Sequence, residues 1–235
     1  MCGRIVTPEQ AALERFFHIG RHNSRRQFVR RFNVAPSMEI PVLRLAPGVE
    51  GYELAPARWT LVPGWWKEAR PPRFTHNTRI EEAAAKPMWR QALRAGRCLI
   101  PVEGWYEWQE LQRPDPATGE LKPAKQPHFI HRPDGSLACL AGLTSLWSLP
   151  GSEPVLTCSV LTTEAAPAVA GVHERMPVVL SFEAYQDWLD PELQDGARAL
   201  AVARQGLETK FSHYLVSLRL NGKADDEALC RPLEA

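Results

Sequence analysis

Eight short β-like segments, at residues 40–45, 52–61, 98–102, 105–108, 128–131, 137–143, 155–162 and 213–218, succeed one another without long helices placed regularly between them. Parallel strands need a crossover of a dozen or more residues, usually a helix, so this order argues against a doubly wound parallel sheet. It predicts an α+β chain built on a mainly antiparallel sheet. Pro133-Asp134-Gly135 marks a turn between two of the segments. Helical signals are few. Thr7 as N-cap, Pro8 at the first helical position and Gln10 completing a capping box start one helix, with Leu13, Phe16 and Phe17 on its inner face. Two more are expected over 81–93, interrupted at Pro87, and over 181–189, where Phe182, Tyr185 and Leu189 share a face. The polar stretch 111–126 reads as a mobile surface loop.

With 235 residues and 44% hydrophobic content the chain can bury the core of one domain. No apolar run approaches the ~20 residues that cross a bilayer, and the N-terminus lacks the form of an export signal. The expectation is a soluble, cytoplasmic monomer, nucleoid-associated if bacterial. Cysteines at 2, 98, 139, 158 and 230 are odd in number and contain no CxxC pair, which argues against a disulfide framework and against a structural zinc. No metal or other cofactor is expected. The net charge of +1 conceals a crowd of arginines at 21, 25, 26, 30 and 31, a patch suited to a polyanion although such runs are more often only solvated.

Four segments carry chemistry. In Met1-Cys2-Gly3-Arg4, removal of the methionine would expose an amine and a thiol on one residue. The two groups titrate near ~7.7 and ~8.5, so both retain a nucleophilic fraction at neutral pH. Such an aminothiol condenses with an aldehyde to an imine and then closes a thiazolidine. Thr75-His76-Asn77-Thr78-Arg79-Ile80-Glu81 sets an amide beside a guanidinium, groups suited to oxyanion or phosphate contacts. Gly104-Trp105-Tyr106-Glu107-Trp108 surrounds one carboxylate with aromatic rings. Strand alternation turns Trp105 and Glu107 one way and Tyr106 and Trp108 the other; apolar surroundings would raise the Glu107 pKa toward that of a general acid and base. Val172-His173-Glu174-Arg175-Met176-Pro177 offers an imidazole in a stiffened loop. Trp65 and Trp66 follow a Pro-Gly turn and cannot easily both be buried; an exposed ring beside basic residues would stack on unpaired bases.

In this order the segments resemble the SRAP (SOS response-associated peptidase) family. The resemblance rests on Cys2-Gly3-Arg4, Phe32-Asn33-Val34-Ala35-Pro36, residues 59–65, Asn77 to Glu81, residues 97–108 and His173 to Pro177, and so spans nearly the whole chain. Thr60, Thr78 and Val102-Glu103 depart from the family's usual residues without touching the reactive groups. The resemblance implies a domain over residues 2–225 with a tail at 226–235, and a curved, mainly antiparallel, barrel-like sheet flanked by helices. It implies recognition of abasic sites in single-stranded DNA and a covalent bond through Cys2. Asn77 would orient the reacting groups, Glu107 transfer protons and His173 assist opening of the sugar. Arg4 and Arg79 would bind phosphates, and Trp65 and Trp66 would stack on or wedge between bases. Two rivals stand beside this reading: a thiol (auto)peptidase using Cys2 and His173, and a noncatalytic single-strand binding module.

Overall fold

The computed structural model describes residues 2–19, 27–45 and 51–233. Along the chain run β1 (Arg4–Thr7), α1 (Gln10–Phe17), β2 (Arg31–Val34), β3 (Glu39–Leu45), β4 (Tyr52–Trp59), β5 (Asn77–Arg79), α2 (Pro87–Ala95), β6 (Arg97–Val102) and β7 (Gly104–Pro114). They are followed by β8 (Leu121–His131), β9 (Ala138–Trp147), β10 (Val155–Glu164), β11 (Arg175–Pro177), β12 (Val179–Leu180), α3 (Tyr185–Leu189), α4 (Gly196–Gln205) and β13 (Ser212–Leu215). Strands β10, β4, β3, β6 and β9 are neighbours in turn, and β9 pairs back onto β10, which closes a five-stranded barrel. Every joint in it is antiparallel except β10 with β4, and β5 extends β10 in parallel as well. A second sheet, β13-β8-β7-β1-β2, is antiparallel throughout. The α+β class and the barrel-like core therefore hold.

Strand alternation divides the core. Leu43, Leu54, Leu99 and Leu143 pack against Leu93 of α2, Trp188 of α3 and Leu200 of α4. Their neighbours of opposite parity, Val42, Ala55 and Ile100, join Cys2, Ile5, Trp105 and Ile130 in a separate cluster. Tyr106 points the other way, into a cluster with Val6 and Phe129 that Trp108 partly covers. The facing expected for the Trp105-to-Trp108 segment is thus the one observed.

Four expectations fail locally. Thr7 does not cap α1: it is the last residue of β1, buried and paired with Arg31, while the N-cap is Glu9 without a side-chain cap bond. Sheet pairing has outbid the cap, and Gln10 bonds to Glu14 instead. Residues 111–126 are no mobile loop, because β7 and β8 continue as a paired ribbon to Pro114↔Leu121. Phe182 does not share a buried face with Tyr185 and Leu189; it lies 68% exposed in a 3-10 turn ahead of α3. The expected helix at 81–93 is shorter, with turns to residue 86 and α2 starting on Pro87, whose missing N–H costs nothing there.

Candidate active site

Cys2 enters β1 fully buried, and its carbonyl accepts a 2.7 Å hydrogen bond from Asn77 Nδ2. The strand β5 that carries Asn77 is held by parallel pairing of Asn77 with Val160 and Arg79 with Thr162, and by a 2.8 Å contact between the hydroxyls of Thr78 and Ser159. Buried Asn77 Oδ1 has no partner among the described residues, which leaves an acceptor for a bound molecule. Glu107 comes from β7, adjacent to β1 in the register Arg4↔Tyr106 and Ile5↔Trp105. Burial leaves it 2% exposed and pushes its carboxyl up to about 7, an effect that the positive amino terminus opposes. Burial also pushes the Cys2 thiol up, and the Glu107 charge adds to this. A thiol so placed stays protonated.

His173 sits in the turn before β11. The Arg175 backbone N–H donates to its Nδ1 at 2.9 Å, so the neutral ring carries its proton on Nε2. Burial lowers its pKa, which favours that neutral form. Glu107 and His173 line one cavity of about 830 Å³, with Trp108, Gln109 and Gly171. Arg175 ties this turn down through a bidentate pair with Glu81, at 2.9 and 3.0 Å, and a bond to the Thr162 carbonyl.

The proposed ligands of DNA are more dispersed. Arg4 is half-buried, its guanidinium donating to the Gly3 carbonyl at 2.8 Å. Arg79 is exposed at the end of β5. Trp65 is 49% exposed and Trp66 less so, the rings 5.9 Å apart; neither lines the Glu107 cavity. Of the arginine crowd, 21, 25 and 26 lie outside the described residues. Arg30 is held bidentate by Glu103, and Arg31 makes a single 3.2 Å bond to Asp225, so these two are engaged within the fold.

Sequence reasoning passed over Phe74. It is 82% exposed and has a φ of 59°, a strained setting for a non-glycine, three residues before Asn77 and next to exposed Arg73. Its aromatic-basic neighbourhood was the available signal. Gln109, which bonds to the Gly171 carbonyl, was also missed, because a lone glutamine advertises no chemistry.

The chain thus combines a barrel with a second sheet and sets Cys2, held through its carbonyl by Asn77, beside the strand that carries buried Glu107. The family model "SOS response associated peptidase (SRAP)" matches residues 1–223, and the chain belongs to that family. It is 33% identical over 202 residues to "Abasic site processing protein YoqW" of Bacillus subtilis, covering 83% of each chain. It is 32% identical over 206 residues to "Abasic site processing protein YedK" of Escherichia coli, covering 86% of this chain and 85% of that one. A crystal structure of a protein from Bacteroides thetaiotaomicron shares the fold with a TM-score of 0.72 at 22% identity, over 86% of this chain and 85% of that chain.

Proposed function

We propose that this chain processes abasic sites in single-stranded DNA by capturing them covalently through Cys2 after Met1 is removed. The observation that carries the reading is the buried corner in which Asn77 grips the Cys2 backbone while the Glu107 carboxyl is raised to about 7. Relatives named for abasic-site processing support the choice of electrophile. A ring-opened abasic deoxyribose presents an aldehyde. The Cys2 amine adds to its carbon and one of its protons passes to the former carbonyl oxygen; the Glu107 carboxyl supplies the second, water leaves, and the nitrogen returns its remaining proton to the Glu107 carboxylate, which gives the neutral imine. The thiol then adds to the resulting imine: sulfur bonds to the carbon, and the thiol proton ends on nitrogen, closing the thiazolidine. A protonated thiol suits this order, since the amine acts first. As the sugar opens, the anomeric hydroxyl gives up its proton and the ring oxygen gains one, while the Nε2–H of neutral His173 donates a hydrogen bond to that ring oxygen and stabilises the charge it develops. Arg4 and Arg79 bind backbone phosphates, and Trp65, Trp66 and Phe74 offer stacking surfaces.

The peptidase reading needs a thiolate activated beside His173. Burial and the Glu107 charge act on Cys2 in the opposite direction. A binding-only module would leave Asn77, Glu107 and His173 without a common purpose. The test is Cys2→Ala on an oligonucleotide carrying one abasic site. The stable adduct should vanish from denaturing gels while reversible affinity for the strand changes less than about twofold, because phosphate and stacking contacts lie elsewhere. An adduct of unchanged yield and stability would overturn the proposal.

A further inference from the structure

Gln109 follows Glu107 by two residues on β7 and reaches from the sheet to the turn that carries His173. Its Nε2 donates to the Gly171 carbonyl at 3.0 Å, and its Oε1 lies 3.2 Å from Nε2 of His128. His128 is the cross-strand partner of Glu107, and its Nδ1 stands 3.1 Å from Nδ1 of His213 on β13. The protons in this chain can be assigned by elimination. A carbonyl only accepts, so Gly171 fixes the Gln109 amide with its oxygen toward His128. That oxygen requires a donor, which puts the His128 proton on Nε2. Neutral His128 then accepts at Nδ1, and His213 must supply an Nδ1–H.

We propose that His213, His128 and Gln109 form a hydrogen-bond relay that positions the His173 turn over the Glu107 cavity, and that it runs from His213 to Gln109 only while His128 is neutral. It rests on the role given to His173 above. Gln109, Gly171, Glu107 and His173 line the same cavity, so a shift of the 171 carbonyl moves the imidazole relative to the carboxyl. Arg175 anchors the far end of the turn; Gln109 anchors the near end. A proton added to His128 Nδ1 would reverse this bond, with exposed His213 carrying its own proton on Nε2 and accepting at Nδ1.

The surroundings favour the neutral state. Burial lowers the His128 pKa, and the His213 charge adds to that effect. Glu107 faces His128 from β7, largely protonated below its value of about 7. Gln126, on the same strand, is occupied by the Pro127 and Val216 carbonyls. Lys125 and Glu110 at the cavity rim pair with each other at 3.0 Å. The direction from His213 to Gln109 is therefore the one held at neutral pH.

The experiment compares crosslinking rates of full-length variants on an abasic single-stranded oligonucleotide from pH 5 to 8, together with ¹⁵N-resolved imidazole spectra of the protein without DNA. Gln109→Glu keeps the acceptor for His128 but turns a carboxylate oxygen toward Gly171, and should slow crosslinking about fivefold at pH 7, the worth of about one net hydrogen bond. His213→Leu should do the same. His213→Asn can donate to neutral His128 or, after its amide rotates, accept from the protonated ring. It should therefore restore the rate at pH 7. The spectra should show His128 protonated on Nε2 and His213 on Nδ1 at pH 7.5. Equal rates for His213→Leu and His213→Asn, an unaffected Gln109→Glu, or His213 protonated on Nε2 would each overturn the relay. A wild-type rate in His173→Ala would instead overturn the role of His173 while leaving the tautomers as assigned, which separates the two failures.

Discussion

Glu107 is the residue at which stability and chemistry pull apart. An exposed glutamate titrates near ~4.3, whereas burial raises Glu107 to about 7. Between those values the folded protein holds a proton that the unfolded chain has released. The stabilisation is full below the unfolded pKa and is lost as pH rises through the folded one, a span worth about 3–4 kcal/mol. Glu107→Gln removes this titration. In urea denaturation the variant should exceed wild type by about 1–3 kcal/mol at pH 8, and the gap should close by pH 5. A gap independent of pH would show that Glu107 is not held protonated. The same substitution should slow both formation and reversal of the adduct, since a proton shuttle serves both directions, and crosslinking and release rates read this directly. Cys2 presents the reverse case: its identity was legible at once, but its protonation state was not, because that depends on the depth to which β1 buries it and on Glu107, over a hundred positions away.

At the scale of elements, the strands that pack in the barrel were readable because their apolar content matches burial: 40–45, 98–102 and 155–162 all reappear within a residue or two. The distal β7–β8 ribbon was not. Its pairs mix polar residues, as in Arg113↔Lys122, with scattered apolar ones, as in Leu111↔Ala124, so no regular alternation announces a strand and its prolines suggest a loop. Helix α4 could have been found, since Asp195 caps it through the Ala197 and Arg198 amides and the helix formers Ala and Arg follow. The strand β1 is too short to declare itself, and its place depends on Gly104. A Cβ there would fall 2.5 Å from both the Ile130 carbonyl and the Phe129 ring, at the junction of β1, β7 and β8. Gly104→Ala should cost about 2 kcal/mol or more by overpacking, with the loss of crosslinking tracking the loss of folded protein in thermal denaturation. Wild-type stability would mean that the sheet yields at this point.

For the whole molecule, the ordered set of segments disclosed the family, because six of them distributed over nearly the entire chain had to coincide. Their spatial assembly came from topology: β1 brings Cys2 beside β7, β10 holds β5 and Asn77, and the turn before β11 adds His173. The nearly balanced net charge of +1 gives no global attraction for DNA, so the proposed binding would have to come from local guanidiniums. Arg79→Ala should weaken intact and abasic strands alike and reduce the slope of log affinity against log salt by about 0.7, the value for one single-strand phosphate contact. Unchanged affinity and slope in salt titrations would remove Arg79 from the interface. The most direct measurement of the central claim is intact mass spectrometry of the protein mixed with a single-stranded oligonucleotide bearing one abasic site. The account predicts a new species at the mass of the chain lacking Met1 plus the oligonucleotide less one water, with the fragment carrying the added mass starting at Cys2. Attachment at any other residue, or an adduct on chains that still carry Met1, would contradict it.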